Sequence, residues 1–229
     1  MAFSTSLFGT PNKTDEPVKE LTSSLQRLFK NESYSDLTIL CGGSQYKVHR
    51  ALICPRSSFF EAACRNNFKE AKTGEISLPD DDPVAVKMMI RYFYHLDYSP
   101  PGIKTASHQT PVQLSQASRP QASATPTHLV LHAQVYALGE KYGIPGLKAL
   151  AATKFKNEVD QHWHSQDFLL ALKEVYSSTV DHDRSLRDIV VQAVSAHLQL
   201  LETKDFQDAI KGLDLPYDLL INLKRIGRI

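Results

Sequence analysis

The chain predicts an α+β fold in which a small strand-containing unit is followed by helices only. Three observations carry that prediction. The stretch "DLTILCGGSQYKVH" alternates apolar and polar residues on either side of a double glycine. The flanking "PVKELTSSLQRLFKN" and "DDDPVAVKMMIRYFYHL" show helical spacing instead. After about residue 127 only helical patterns follow, so strands and helices are not interleaved as in a parallel α/β fold.

Taken in order, a polar head over residues 1–16 is expected to be flexible. The first helix is expected from about Val18 to Phe29, with Val18, Leu21, Leu25, Leu28 and Phe29 as its stripe and Pro17 in the first turn. If Gly42 and Gly43 form a two-residue turn, Cys41 faces Ser44, Ile39 faces Tyr46 and Leu37 faces Val48. Each apolar pair then lies on one side of the hairpin, and a slip of one residue would break this. After His49 comes a short helical turn, then Pro55, then a helix from about Ser58, where Ser58 and Glu61 read as a capping box and Phe59, Phe60 and Ala63 as the apolar stripe.

A strand over residues 76–78 leads through Asp80-Asp81-Asp82 to a helix capped by Asp82 and opened by Pro83, with Val86, Met89, Ile90, Phe93 and Leu96 turned inward. Residues 97–127 are rich in Pro, Ser, Thr, Gln and Ala without apolar periodicity, the composition of a flexible insertion. Helices are then expected around residues 131–142, from Pro145 past Phe155, and around 168–176, 186–201, 206–210 and 216–226.

The 229 residues are 42% hydrophobic and 22% charged, ordinary for a globular protein. Lys plus Arg number 26 and Asp plus Glu 25, a net charge of +1, which supplies no overall field to hold nucleic acid or an anionic membrane. No run approaches the roughly 18 apolar residues of a membrane span, and the first residues lack a signal-peptide pattern, so a cytoplasmic or nuclear location is expected. Cys41, Cys54 and Cys64 are the only cysteines. An odd number suits reduced thiols better than a disulfide framework.

His49 with the three cysteines, His162 with His164, and the Asp80–Asp82 run are the groups whose residue types suggest metal or nucleophilic chemistry. None has paired ligand spacing, and each has a simpler account: core face, loop beside Trp163, and helix cap. GxxxxGK[ST], GxGxxG, GxSxG and HExxH are all absent. The expectation is a protein with no enzymatic activity, no cofactor and no metal. Lys224, Arg225 and Arg228 read as cations at a helix end.

The motifs "SDLTI", "YKVHRALIC", "SSFFEAAC", "EISLPDDDPVAVKMMIRYFYHLDY" and "VYALGEKYGIPGLKALA", in this order, resemble a BTB/POZ domain, specifically the fungal type with a C-terminal helical extension. The resemblance implies the BTB/POZ fold, a small sheet flanked by helical hairpins, over residues 17–160, with a helical extension over 161–229. The 97–127 segment is longer than the family's usual connection. It implies a protein–protein interaction module, often homodimeric, and on this chain Leu21, Leu25 and Leu28 become the candidate dimer face. Many members are substrate adaptors for cullin-RING ubiquitin ligases whose cullin-binding loop carries an apolar residue, any residue, then glutamate. Phe68-Lys69-Glu70 matches that loop, against the alternative that Phe68 packs under its own helix. Asp36 and Arg50 match a charged pocket of transcriptional members, or else stabilise the hairpin-to-helix junction. A transcription-linked scaffold is the alternative function, although no DNA-binding pattern is visible here. No kelch or ankyrin repeat follows to choose a target.

Overall fold

The computed structural model describes residues 15–65, 68–101 and 127–228. The element order is α1 (Asp15–Asn31), β1 (Leu37–Cys41), β2 (Ser44–Val48), α2 (Arg50–Ile53), a 3-10 turn (Cys54–Arg56), α3 (Ser58–Ala63), α4 (Lys69–Thr73), β3 (Glu75–Ser77) and α5 (Pro83–His95). From there every described element is helical: α6 (Leu129–Lys141), α7 (Pro145–His162), α8 (Gln166–Ser178), α9 (Ser185–Ala196), a 3-10 turn (Leu198–Glu202), α10 (Lys204–Ala209) and α11 (Leu215–Arg225).

The hairpin has the expected register, with Leu37 opposite Val48, Ile39 opposite Tyr46 and Cys41 opposite Ser44. Gly42 and Gly43 both have positive φ, 52° and 77°, the combination a tight two-residue turn requires. Strand β3 lies on the other side of β1 and runs parallel to it, Ile39 beside Ile76, giving the order β2-β1-β3. Leu37, Ile39, Cys41, Val48 and Ile76 all turn to the core.

Helix α5 is the central element of this half. Asp82 accepts from the N–H groups of Val84 and Ala85, both at 2.9 Å, which starts the helix, and seven of its residues are buried. Helix α1 holds to it through Phe29, whose ring stacks on Tyr94 with centroids 5.0 Å apart. Helices α6 and α7 form an antiparallel hairpin packed against α5 and the later helices. Their close crossing depends on Gly139, where a Cβ would come within 2.8–2.9 Å of the Lys148 backbone. One continuous core cluster extends from Leu37 to Leu219, and α7 runs unbroken across residues 160–161.

Several local expectations need correction. The cap of α3 is Ser57, whose hydroxyl accepts from the Phe60 N–H at 3.2 Å, so the box starting at Ser58 does not form. Leu96 is 57% exposed instead of buried, because it ends α5 in the left-handed conformation (φ 56°), which turns its side chain outward. Helix α1 begins at Asp15, inside the head expected to be flexible, and the helix expected over 186–201 breaks at His197 into α9 and a 3-10 turn. Residues 1–14, and 102–126 of the expected insertion, lie outside the described residues. The start of that insertion is anchored: Tyr98 is buried, and Asp97 pairs with Lys154 at 2.8 Å.

Candidate functional site

Phe68 and Glu70 stand where the chain passes from α3 to the sheet. Phe68 precedes α4 in an extended conformation (φ −66°, ψ 149°) and is 60% exposed, Lys69 is exposed, and Glu70 is half-buried in the first turn. Helix α4 has only five residues, so its position depends on its anchors. Gly74 closes it in the left-handed conformation, its C=O accepts from the Thr38 N–H at 2.8 Å, and the Arg50 guanidinium donates to the Ala71 carbonyl at 3.2 Å. The side chain of Phe68 is therefore presented to solvent from a segment tied to β1 and α2.

Asp36 and Arg50 contribute to that frame. Asp36 accepts from the Arg50 backbone N–H at 2.8 Å, so its carboxylate caps the first turn of α2 from the neighbouring strand. Among the described residues the two side chains make no ion pair with each other; the Arg50 side chain reaches α4 instead. Asp36→Ala should cost about 1 kcal/mol, the usual loss of an N-cap, measured by urea denaturation. No loss would remove the capping role.

Of the three leucines of the dimer face, Leu21 is 62% exposed, as is Val18. Leu25 is half-buried, and Leu28 packs with Phe29 against the core. Among the described residues the N-terminal half of α1 is thus an exposed apolar stripe, and its C-terminal half is the attachment to α5.

Most of the residues that raised the question of chemistry make contacts that hold the fold together. The His49 N–H donates to the Tyr94 hydroxyl at 3.0 Å, and that hydroxyl is 2.7 Å from His49 Nδ1, so Nε2 carries the proton that faces the Ser33 carbonyl at 2.7 Å. Burial pushes the Cys54 thiol up to about 12, with a hydrogen bond to Cys64 adding to it, and burial raises Cys41 as well. Thiols held protonated are poor nucleophiles and poor ligands. Among the described residues, no three His, Cys, Asp or Glu side chains are grouped to hold a metal. Trp163 stacks flat on His197, centroids 3.8 Å apart, with His164 edge-on at 5.2 Å. Asp81 does more than its run of aspartates suggested: it accepts from Lys141 at 2.7 Å and from the Tyr142 hydroxyl, joining the start of α5 to the end of α6.

One buried polar cluster escaped the sequence. The Tyr98 hydroxyl is hydrogen-bonded to His132 Nδ1 at 2.7 Å, and the other ring nitrogen faces Glu158, 3.6 Å away, whose second oxygen accepts from the His128 N–H at 2.9 Å. Burial pushes the Glu158 carboxyl up, but the hydrogen bonds from His132 and His128 outweigh it and hold the carboxyl below its usual range. The two ends of the 97–127 segment, Tyr98 and His128, are thereby tied to one carboxylate on α7. A histidine at one helical position on an apolar face gives no sequence signal of this kind.

Residues 25–113 match the model of a family described as BTB/POZ domain. A mouse protein, "TD and POZ domain-containing protein 5", is 23% identical over 206 residues, 86% of this chain and 53% of its own length. A second mouse protein, "TD and POZ domain-containing protein 3", is 32% identical over 79 residues, 34% of this chain and 22% of its own. The chain therefore spans about half of one relative and under a quarter of the other. A solved structure, that of the BTB (Tramtrack and Bric a brac) domain of human Gigaxonin, is similar at 12% identity with a TM-score of 0.40, over 66% of this chain and 98% of that one.

Proposed function

We propose, from the match of residues 25–113 to the BTB/POZ domain model, that the chain is a non-enzymatic protein-interaction module acting as a substrate adaptor for a cullin-RING ubiquitin ligase. The observation that carries the reading is the exposure of Phe68 on an anchored segment. A large aromatic, 60% exposed and followed by Lys69 and a half-buried Glu70, has the form of an anchor with a polar rim. In this reading the helical part after residue 129 selects the target, and the module dimerises through the exposed stripe of α1, with Val18 and Leu21 meeting those of a second copy and Leu25 at the edge. The finer assignment to the fungal type rests on the sequence motifs. A transcription-linked scaffold would use Asp36 and Arg50 as a charged pocket; here Asp36 accepts from the Arg50 N–H and the Arg50 guanidinium donates to the Ala71 carbonyl.

The test is a pull-down with a cullin N-terminal domain, with light scattering on the same samples. Folded wild type is expected to bind. Phe68→Ala and Glu70→Lys are each expected to weaken binding at least tenfold, about 1.4 kcal/mol, without changing oligomeric mass. Failure of the wild type to bind removes the adaptor reading. Binding unaffected by both substitutions removes Phe68-Lys69-Glu70 as the contact.

A further inference from the structure

Helix α11 carries a second apolar stripe that no other described residue buries. Leu215 and Leu219 are buried against the body with Asn222, whereas Tyr217, Leu220 and Ile221 on the opposite side are 67%, 53% and 49% exposed. The spacing i, i+3, i+4 places those three on one face, and the next position along it is Lys224. A contiguous apolar face rimmed by charge on a folded surface marks a contact.

The charges around the stripe are sorted by end. Asp214 precedes the helix, and Lys224, Arg225 and Arg228 follow the apolar centre, where Arg228 donates to the Ser195 carbonyl and Arg225 to Asn222 Oδ1. Asp218 is held within its own chain by Arg184 at 2.9 Å and by the Tyr176 hydroxyl at 2.8 Å. Among the described residues Asp214 and Lys224 enter no ion pair, and both are exposed. Beside the stripe, between α9 and α11, lies a groove of about 380 Å3 whose lining includes Val191, Tyr217 and Ile221 with the charged Arg184, Asp188 and Arg225.

We propose that this face is a homotypic interface: a second copy of the chain lays its α11 antiparallel on the first, about a two-fold axis near Leu220 and Ile221. Such an interface must be self-complementary, and a helix acidic at one end, apolar in the middle and basic at the other satisfies that only when antiparallel. At 1.5 Å rise per residue, Tyr217 and Lys224 lie about 5 Å to either side of the axis. Each Tyr217 ring therefore meets the second copy's Lys224, and each Asp214 end meets the second copy's basic end. A parallel arrangement would oppose like charges. This interface is separate from the α1 stripe and does not depend on the adaptor reading.

The full chain, followed by sedimentation equilibrium, tests it. In the Leu21→Arg background, which removes the α1 contact, the chain is expected to be a dimer; adding Leu220→Arg, at an exposed position, is expected to halve that mass with an unchanged circular dichroism spectrum, and adding Tyr217→Ala to weaken association at least tenfold. Leu21→Arg on α1 should leave the α11 step intact, so loss of the α1 contact and loss of this one are read separately. Asp214→Lys alone should weaken association. Adding Lys224→Asp to it should restore association, because the two charges free of partners among the described residues are then reversed on both copies. A Leu21→Arg variant that is monomeric, a mass in that background unaffected by Leu220→Arg, or no recovery on adding Lys224→Asp to Asp214→Lys overturns the proposal.

Discussion

Phe60→Ala is expected to cost about 3–5 kcal/mol of folding stability, the range for truncating a fully buried aromatic residue. Phe60 has no exposed surface and stands at the meeting point of four rings. Its own ring stacks on Tyr142 (5.5 Å, 23°) and meets Phe93 and Phe59 edge-on at 6.2 and 5.3 Å. Truncation removes the ring's transfer free energy and leaves a cavity that α3, short and pinned by Ser57, cannot close by shifting. The Ser57 hydroxyl also donates to the Tyr142 carbonyl, so the same junction holds α3 to the end of α6. Since the core is continuous across this junction, the loss should appear in a single urea transition with its midpoint lowered and its slope unchanged. Phe59→Ala is the internal control: Phe59 is 39% exposed, so less than half that loss is expected. A change below about 1 kcal/mol for Phe60→Ala would mean that this aromatic cluster is not the link between the two parts of the chain.

How far these features could be read from the sequence follows from the range of the interactions involved. The hairpin was legible to the residue because its turn chemistry and its period-two pattern are local and agree at Gly42-Gly43. The start of α5 was legible for the same reason, since Asp82 caps the N–H groups two and three residues on. The parallel pairing of β3 with β1 was not legible, because it joins Ile76 to Ile39 through all the intervening helices and three strand residues carry no pairing signal. The misplaced cap of α3 shows the limit even locally: Ser57 and Ser58 are equivalent in type, and only backbone conformation decides between them. In the candidate site, Phe68, Lys69 and Glu70 could be singled out as residues, but the anchoring of α4 by Arg50 through the Ala71 carbonyl could not. Buried polar clusters were the least visible, because each member looks ordinary in its own element.

Asp183→Ala is the second large effect expected, about 2–3 kcal/mol at neutral pH, from breaking one such cluster. Asp183 lies at the turn before α9, 9% exposed; it accepts from the Tyr136 hydroxyl on α6 and pairs with Lys148 on α7 at 2.9 Å. Removing the carboxylate leaves a buried hydroxyl without its acceptor. It also takes one counter-charge from Lys148, whose ammonium lies 5.0 Å over the Tyr136 ring. The cost stays below that of a fully buried pair because the Lys148 side chain is 23% exposed and keeps Glu140 at 2.7 Å. The pH dependence separates this account from simple loss of packing. Burial alone pushes the Asp183 carboxyl up, but the hydrogen bonds from Tyr136 and Lys148, with the Lys148 charge, outweigh it and hold the carboxyl below its ordinary value. Between the folded and unfolded values the unfolded chain binds the extra proton, so the contribution is fully present above about pH 5 and is lost as pH falls through the folded value. Urea midpoints from pH 7 to pH 3 should therefore fall more steeply for wild type than for Asp183→Ala, by up to about 1.4 kcal/mol per pH unit near and below pH 4. Glu158, also held low, titrates in both proteins and cancels in the comparison. Parallel pH curves for the two proteins would show that Asp183 contributes through shape alone, and would remove the ion pair with Lys148 as a stabilising link between the turn before α9 and the α6–α7 hairpin.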